Sequence, residues 1–392
     1  MKRFLKGLSV AVLALAVLAG ATAAWKHEEI TRLMAVNTLF HEDRIVGNFS
    51  GMDALFHHVV MDGGTHAPLP RGPKAAMPEG FDDWIEVRAV TGIVVLKDGQ
   101  IVHESYHRGT TSEDRRISWS VAKSVLSLLL GTLHHDGTIP NLDAPVTDYA
   151  PDLAGSAYDG VTIRQVAQMA SGVAFDEDYL DFWSDINRMG RVLALGGTMD
   201  GFSIGQRNRR GEAGVDWQYV SIDTHVLGMV IRGATGRSIA ELMEDGFFRP
   251  LGMERDPIYL TDGRGVEFVL GGLNMTTRDY ARIGQLVAQD GHWQGEELVP
   301  AGWIAHSTQA SAPGGALYGY QWWLAPDAPP GEVYGRGVYG QFLWIDRARQ
   351  VVIAVNAADR GFRTPGAHAS STAMFRAIAA GLADPTQTEG EG

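Results

Sequence analysis

The sequence contains no cysteine. This absence excludes a disulfide framework, a thiolate zinc site, a cysteine nucleophile and a lipidated cysteine at the N-terminus. Positive charge is also in short supply: Lys and Arg total 33 against 46 Asp and Glu, a formal net charge of −13. Nucleic acid is therefore not expected as a partner, because a phosphate-binding surface needs clustered Lys and Arg.

Lysine is scarce even among the basic residues, and it occurs only at Lys2, Lys6, Lys26, Lys74, Lys97 and Lys123. The chain has 392 residues, of which 45% are hydrophobic and 20% charged. This composition indicates a globular protein with one large core or two smaller ones. A lysine inside an apolar segment, as at position 123, therefore needs a specific reason.

The N-terminus has the layout of a secretory signal. Lys2, Arg3 and Lys6 precede an apolar run from Leu8 to Ala19, and small residues follow at 21–24. We expect residues 1–24 to be a signal peptide cleaved after Ala23 or Ala24, so that the protein is exported to the periplasm or secreted. The alternative is an inner-membrane anchor formed by residues 7–24, the only membrane contact that we expect.

The rest of the chain divides by pattern. Residues 25–85 form a Gly- and Pro-rich lead-in, and residues 384–392 form a tail. Hydrophobic periodicity predicts helices at 118–134, 277–289 and 372–382, a hairpin of 92–96 with 100–104, and strands at 334–339, 342–346 and 351–356. Helical patterns dominate 161–275. We predict an α/β (α+β) sandwich of residues 86–160 and 276–383, with an antiparallel sheet flanked by helices, and an inserted helical subdomain at 161–275.

Two familiar motifs occur in unsuitable contexts. His103, Glu104 and His107 form H-E-x-x-H, but on a predicted strand, where residues four apart are separated by roughly 13 Å and cannot share a zinc ion. The segment 201–205 forms G-x-S-x-G around Ser203, with His225 or His292 as candidate triad partners. The expected strand and helix are missing around it, so a surface loop is favoured. No metal and no cofactor are expected.

The remaining motif is Ser120-Val121-Ala122-Lys123, an S-x-x-K at the start of the most apolar predicted helix. Residues three apart share a helix face, so the amine of Lys123 can reach the hydroxyl of Ser120. A buried lysine loses hydration, which lowers its pKa and lets it accept the serine proton. The helix N-terminus offers N–H groups to a developing oxyanion. The alternative is a lysine whose stem lies on the core and whose head reaches water.

With these residues, the sequence resembles serine β-lactamases, DD-peptidases and related esterases, and most of all the 6-aminohexanoate-dimer hydrolases, from about Gly92 to Leu382. The resemblance implies a Tyr-x-Ser motif, matched by Tyr219, Val220 and Ser221, in which the tyrosine carries protons as a phenolate stabilised beside the lysine. A core tyrosine next to Trp217 is the alternative.

The resemblance also implies a Lys-Thr-Gly motif on a strand, where this chain has Gly335, Arg336 and Gly337. Arg336 would replace the missing lysine in binding a carboxylate, and the N–H of Val338 would complete the oxyanion hole with that of Ser120. Tyr179 matches the tyrosine that closes over the substrate amide. The acidic residues around it, at positions 176, 177, 178, 181 and 185, either attract an amine or form a solvated face.

The sequence thus predicts a serine hydrolase that cleaves amide or ester bonds of small molecules through an acyl-enzyme on Ser120. Two alternatives stay open. One is a DD-peptidase or β-lactamase, which the missing lysine disfavours. The other is a non-catalytic receptor with the same fold. The sequence does not indicate an oligomeric state.

Overall fold

A computed structural model of the chain describes residues 2–383. Its α-helices are α1 Lys2–Trp25, α2 His27–Thr38, α3 Ile45–Ser50, α4 Met52–Leu55, α5 Phe81–Val87, α6 Val121–His135, α7 Ile163–Ala167, α8 Asp185–Ala194, α9 Met199–Ile204, α10 Ser221–Thr235, α11 Ile239–Met243, α12 Arg249–Leu251, α13 Thr277–Ala288, α14 Ala301–Ser307 and α15 Ala367–Gly381. The tail predicted at 384–392 lies outside the described residues.

The strands are β1 His58–Val60, β2 Val90–Lys97, β3 Gln100–Tyr106, β4 Arg116–Ile117, β5 Ile258–Leu260, β6 Leu273–Met275, β7 His292–Trp293, β8 Glu296–Glu297, β9 Glu332–Gly337, β10 Gln341–Asp346 and β11 Val351–Ala357. The main sheet is antiparallel and has the order β3-β2-β11-β10-β9. Strands β2 and β11, which are far apart in the sequence, therefore pair within the main sheet, as the predicted sandwich requires.

The predicted hairpin is confirmed by the pairing of β2 with β3. Asp98 and Gly99 join the two strands with φ values of 50° and 78°. Two central residues with positive φ are the mark of a type I′ turn, whose twist matches that of the strands it joins. The Asp-Gly pair therefore sets the pairing next to the turn, and an irregularity between Val95 and Leu96 shifts the register beyond it.

Helices cover both faces of the main sheet because its central strands are apolar on both faces. In β2, Ile93 and Val95 contact the cluster that contains α5 and α15, whereas Val94 and Leu96 contact the larger core with α6 and α13. Helix α15 begins at Ala367, earlier than the predicted Thr372, directly after Gly366 at φ 84°.

The segment 161–275 contains helices α7 to α12 and the short strands β5 and β6. These two strands pair with β1 and β4, which lie outside that segment, in a small sheet of order β1-β5-β6-β4. The division into a sandwich and a helical subdomain stays a prediction, and this sheet connects the two parts.

The lead-in at 25–85 is more ordered than its pattern indicates, since it carries α2 to α5 and β1. These helices are short, so tertiary packing rather than intrinsic propensity stabilises them. Before them, Phe4–Thr22 within α1 is long and apolar enough to cross a membrane and is not buried against the fold. A signal sequence and a membrane anchor both have this character.

Candidate active site

Ser120 lies at the N-cap of α6, directly after Trp119, whose φ is 42°. This left-handed residue turns the chain sharply and leaves Ser120 half-buried beside two cavities. Within residues 2–383, no carbonyl group accepts a hydrogen bond from the N–H of Ser120. The serine thus has a free donor at a helix N-terminus, where the helix dipole favours negative charge.

Lys123 lies one turn further along α6 and is only 1% exposed. Its Nζ atom donates a hydrogen bond of 2.8 Å to the carbonyl of Leu270. Burial lowers the pKa of Lys123 to about 7, and the negative charges of Glu177 and Asp223 oppose part of that shift. The lysine does not reach out to water, so the alternative interpretation of a solvated head group is wrong.

Tyr219 stands over this lysine, with the Nζ atom 5.5 Å from the centroid of its ring. The ring stacks on Trp323 at 5.3 Å. Burial, followed by the charge of Glu177, raises the pKa of Tyr219, while the neighbouring hydroxyls of Ser120 and Ser221 lower it in part. The predicted phenolate is therefore wrong: Tyr219 is a neutral phenol at neutral pH and has a proton to donate.

Glu177, which the sequence indicates only as one member of an acidic run, has a specific place in this site. Its carboxylate accepts hydrogen bonds from the N–H of Ser221 and from the hydroxyl of Tyr179, the latter at 2.8 Å. Burial raises its pKa, whereas the charge of Lys123 is the largest effect lowering it. Glu177 thus ties the segment before α8 to the start of α10, next to the lysine.

The rest of the acidic run has a different role. Asp178 pairs with Arg363 at 2.9 Å, and Asp176 and Asp181 are exposed. Glu177 therefore enters the site and Asp176 and Asp181 face solvent, while attraction of an amine by the run stays a prediction. Tyr179 borders the site, but Glu177 holds its hydroxyl.

A second carboxyl group, Asp223 of α10, is completely buried near the lysine. It accepts hydrogen bonds from Tyr158 at 2.7 Å and from Ser171 at 2.8 Å. Burial raises its pKa to about 7. Burial therefore opposes the negative charge that Asp223 would place near Lys123.

Strand β9 passes very close to the serine turn, which explains its Gly-Arg-Gly sequence. A Cβ atom on Gly337 would lie 2.6 Å from the carbonyl oxygen of Ser118, and one on Gly335 would lie 3.0 Å from the Oγ of Ser124. At Gly337 only glycine permits this approach, because the neighbour is backbone, whereas at Gly335 a side chain would have to move. Arg336, between them, lies half-buried with its guanidinium 5.5 Å from the centroid of the Trp323 ring.

The loop after β9 carries Val338 and then Tyr339, whose φ of 59° is unusual for an aromatic residue. Aromatic rings from the lead-in hold this loop and the serine turn. Phe40 stacks on Tyr339 at 4.5 Å, and Phe49 contacts the ring of Trp119 at 5.5 Å. The lead-in thus supports both sides of the candidate oxyanion site.

Two cavities meet at Ser120, and both are also lined by Tyr179 and Val338. One of them contains charged and phenolic groups, namely Glu177, Tyr219, Arg336 and Arg363. The other is almost entirely apolar. The structure therefore brings seven of the eight predicted site residues to the border of one or both cavities, and the eighth, Lys123, is buried one helical turn after Ser120.

The H-E-x-x-H motif departs from its predicted geometry. Nε2 of His103 and Nε2 of His107 both contact the hydroxyl of Ser105, at 3.2 and 3.0 Å. The two rings are thus closer than strand spacing predicts, because His107 follows the end of β3. Glu104 instead pairs with Arg71 and Arg278. In the described part of the chain, no three His, Asp or Glu side chains form a metal-binding group.

The G-x-S-x-G segment is a helix and not a surface loop. Ser203 lies in α9, completely buried, and its hydroxyl donates to the carbonyl of Met199 at 2.9 Å. His225 contacts Asp200 at 2.7 Å instead of the serine. This serine is therefore a structural residue of the helix.

Comparison with known proteins gives consistent results. The family model described as Beta-lactamase matches residues 85–372. The 6-aminohexanoate-dimer hydrolase of Paenarthrobacter ureafaciens is 30% identical over 291 residues, covering 70% of this chain and 74% of that protein. Esterase EstB of Burkholderia gladioli is 29% identical over 202 residues, covering 44% of this chain and 48% of its own.

Solved structures share the fold. A structure described as a 6-aminohexanoate-dimer hydrolase from Bacillus anthracis has a TM-score of 0.78 at 22% identity, covering 88% of this chain and 96% of that one. A family VIII carboxylesterase has a TM-score of 0.56 at 17% identity, covering 78% of this chain and all of the other. These similarities confirm the predicted fold class.

Proposed function

Because the chain belongs to the β-lactamase family, we propose that this serine hydrolase cleaves amide or ester bonds of small molecules, with Ser120 as its nucleophile. One observation carries the proposal. A buried lysine with a pKa of about 7 lies one helical turn after a serine whose own N–H is free. A base of that pKa is half neutral at neutral pH, which suits general base catalysis there.

In the proposed acylation step, neutral Lys123 accepts the proton of the Ser120 hydroxyl, and the Oγ atom attacks the substrate carbonyl. The hydrogen bond to Leu270 orients the amine. The N–H groups of Ser120 and Val338 stabilise the oxyanion, and preorganised donors of this kind typically contribute about 10²–10³-fold in rate.

Tyr219 then donates its proton to the leaving nitrogen or oxygen. Its raised pKa supports this direction of transfer, since the phenol is protonated before the bond breaks. The proton on Lys123 restores the phenol. In the second half of the reaction, water attacks the acyl-enzyme carbonyl and gives its proton to Lys123 and Tyr219. That proton then passes to the Oγ atom of Ser120 as the acid is released, which regenerates the free serine.

The charged cavity supports a role for Arg336 in binding an anionic group of the substrate, because its guanidinium lies half-buried beside Trp323 at the serine. β-Lactams carry such a carboxylate, so β-lactam hydrolysis is the second candidate. A fluorescent penicillin separates the two: rapid acylation of Ser120 would favour a DD-peptidase or β-lactamase over a small-molecule amidase or esterase, and release of the hydrolysed penicillin would identify β-lactam hydrolysis.

We also propose export of the protein, with Phe4–Thr22 as the signal sequence or anchor. Expression of the full chain in a bacterial host, followed by fractionation and N-terminal sequencing, tests this. A mature chain beginning after Ala23 or Ala24 supports cleavage, an intact chain in the membrane fraction supports an anchor, and an intact cytoplasmic chain contradicts export.

The nucleophile is tested with a fluorophosphonate probe and peptide mapping. We expect the label on Ser120, because Ser203 is buried and donates to Met199. Turnover of 4-nitrophenyl acetate should be lost in Ser120→Ala and kept in Ser203→Ala. If neither the probe nor the ester reacts in a Ser120-dependent way, the alternative of a non-catalytic receptor is favoured.

A further inference from the structure

The apolar cavity at Ser120 has a volume of about 110 Å³. Its walls are mostly aliphatic and aromatic side chains from α2, α4, α8 and the loop around Leu270. Ile186 and Met189 on α8 form one wall, and Leu39 and Met52 form another. The cavity is continuous with the nucleophile, so a group bound there is attached directly to the reacting carbonyl.

A large part of this wall is contributed by the lead-in. Val36, Leu39, Phe40, Met52 and Phe56 all line the cavity, and all precede residue 85, where the family match begins. This part of the apolar wall thus lies outside the residues that the family model matches.

Among the described residues that line the cavity, none is Asp, Glu, Lys or Arg. A charged group at the end of a bound chain would lose its hydration with no counter-ion, which is costly. The other cavity differs sharply, since it contains Glu177, Arg336 and Arg363. The apolar cavity therefore favours uncharged groups of a substrate, whereas the charged cavity favours ionic or polar groups.

The position of Tyr219 indicates which cavity binds the leaving group and which binds the acyl group. Its phenol lines the charged cavity and not the apolar one. Since the proton donor must reach the leaving atom, the leaving group lies on the charged side. The acyl group then extends into the apolar cavity.

We propose that the apolar cavity binds an uncharged aliphatic acyl chain, so that the substrates are esters or amides of alkanoic acids and not of ω-amino acids. This inference rests on the proposed function. It departs from the 6-aminohexanoyl chemistry that the name of the Paenarthrobacter ureafaciens relative implies. The lining offers an ω-ammonium group no carboxylate counter-ion, and its polar residues such as Asn187 and Thr261 are uncharged.

The kinetic test uses 4-nitrophenyl acetate, hexanoate and 6-aminohexanoate. Each buried methylene should raise kcat/KM about fourfold, so hexanoate should exceed acetate by on the order of 10²-fold. The 6-aminohexanoate ester should be at least about tenfold poorer than hexanoate. Equal or better use of the 6-amino ester, or no gain from acetate to hexanoate, would overturn the inference while leaving Ser120-dependent hydrolysis intact.

Gly190 offers a matched variant. It lies in α8 and lines the cavity, and a Cβ atom placed on it meets nothing within 4 Å. Gly190→Leu therefore fills the cavity without a clash at the backbone, and the hexanoate-to-acetate ratio should fall at least about tenfold. Gly47→Leu is the control, since Gly47 is also helical and open but is not in the cavity wall. Equal ratios in the two variants would contradict the inference.

A binding test examines the selectivity of the apolar cavity without requiring that any substrate be hydrolysed. In Ser120→Ala, isothermal titration with 1-octanol and 8-amino-1-octanol should show tighter binding of octanol, by at least about tenfold, and Gly190→Leu should abolish the difference. If esters are not hydrolysed but octanol binds selectively, the proposed function fails and the cavity assignment stands. Equal binding of the two alcohols rejects the cavity assignment.

Discussion

The ammonium nitrogen of Lys123 lies 5.5 Å from the centroid of the Tyr219 ring. The two side chains come from α6 and from the segment before α10, nearly a hundred residues apart in the chain. Burial affects them in opposite ways, since it lowers the pKa of the lysine and raises that of the tyrosine. The neutral amine can therefore accept a proton, and the neutral phenol can donate one.

Lys123→Ala and Tyr219→Phe should each lower kcat by roughly 10²-fold or more, as positioned acid–base groups contribute about 10²–10⁴-fold. The double variant should lose much less than the product of the two, because groups that act as a unit are not additive. The measurement is kcat on one ester for the parent protein, the two single variants and the double variant, with melting curves to show that each is folded.

Lys123→Arg is the control for charge. A guanidinium does not release its proton, so this variant should be as inactive as Lys123→Ala. Near-normal turnover in a folded Lys123→Ala would end the proposed mechanism.

The pH profile of kcat/KM should rise through about pH 7 and level off above it, because only the neutral form of Lys123 accepts the serine proton. Glu177 favours the charged form of the lysine, so removing its charge lowers the pKa of Lys123. Glu177→Gln should therefore move the rising limb to lower pH.

The matched control is Asp178→Asn, the next carboxylate in the chain, which pairs with Arg363 instead. Its profile should keep the midpoint of the parent protein. A midpoint that shifts equally in both variants would show that Lys123 is not the titrating group.

The sequence predicted the parts of this site that depend on local chain geometry. The spacing of Ser120 and Lys123 on one helix, the Asp-Gly hairpin and the strands β9 to β11 all follow from short-range pattern. Glu177 could not be identified in this way, because its contact with Ser221 joins residues 44 apart and depends on how a loop packs. The short helices of the lead-in likewise show no hydrophobic periodicity in the sequence, because packing against distant residues stabilises them.

Gly337→Ala should damage both stability and activity. Its new methyl group would lie 2.6 Å from the backbone carbonyl of Ser118, so β9 or the serine turn must shift. Overpacking of this kind typically costs about 1–3 kcal/mol, and the displaced Val338 should also weaken the oxyanion site. We expect a lower melting temperature and kcat reduced at least about tenfold.

Gly47→Ala serves as the control, since a Cβ atom there meets nothing within 4 Å and the residue is helical. It should be neutral or slightly stabilising. A normal kcat in Gly337→Ala would show that β9 does not position the proposed oxyanion site.

Chelation should leave activity unchanged, because the proposed base is an amine and the H-E-x-x-H carboxylate is occupied by Arg71 and Arg278. The measurement is ester turnover after dialysis against EDTA, compared with the untreated enzyme. A loss that added zinc restores would return His103 and His107 to the candidate site, as their shared contact with Ser105 places them near each other.

A single carboxylate should change the substrate preference of the apolar cavity. Leu193 lies half-buried on α8 in the cavity wall, where an added carboxylate retains some hydration and faces the bound chain. Leu193→Glu should improve kcat/KM for 4-nitrophenyl 6-aminohexanoate relative to the hexanoate by at least about tenfold, since the ω-ammonium group gains a counter-ion. Leu193→Gln has the same shape without the charge and should leave that ratio nearly unchanged. Melting curves on both variants separate a change in preference from a loss of fold. If the two variants give the same ratio, the end of the acyl chain does not lie at Leu193, and the acyl group must bind elsewhere.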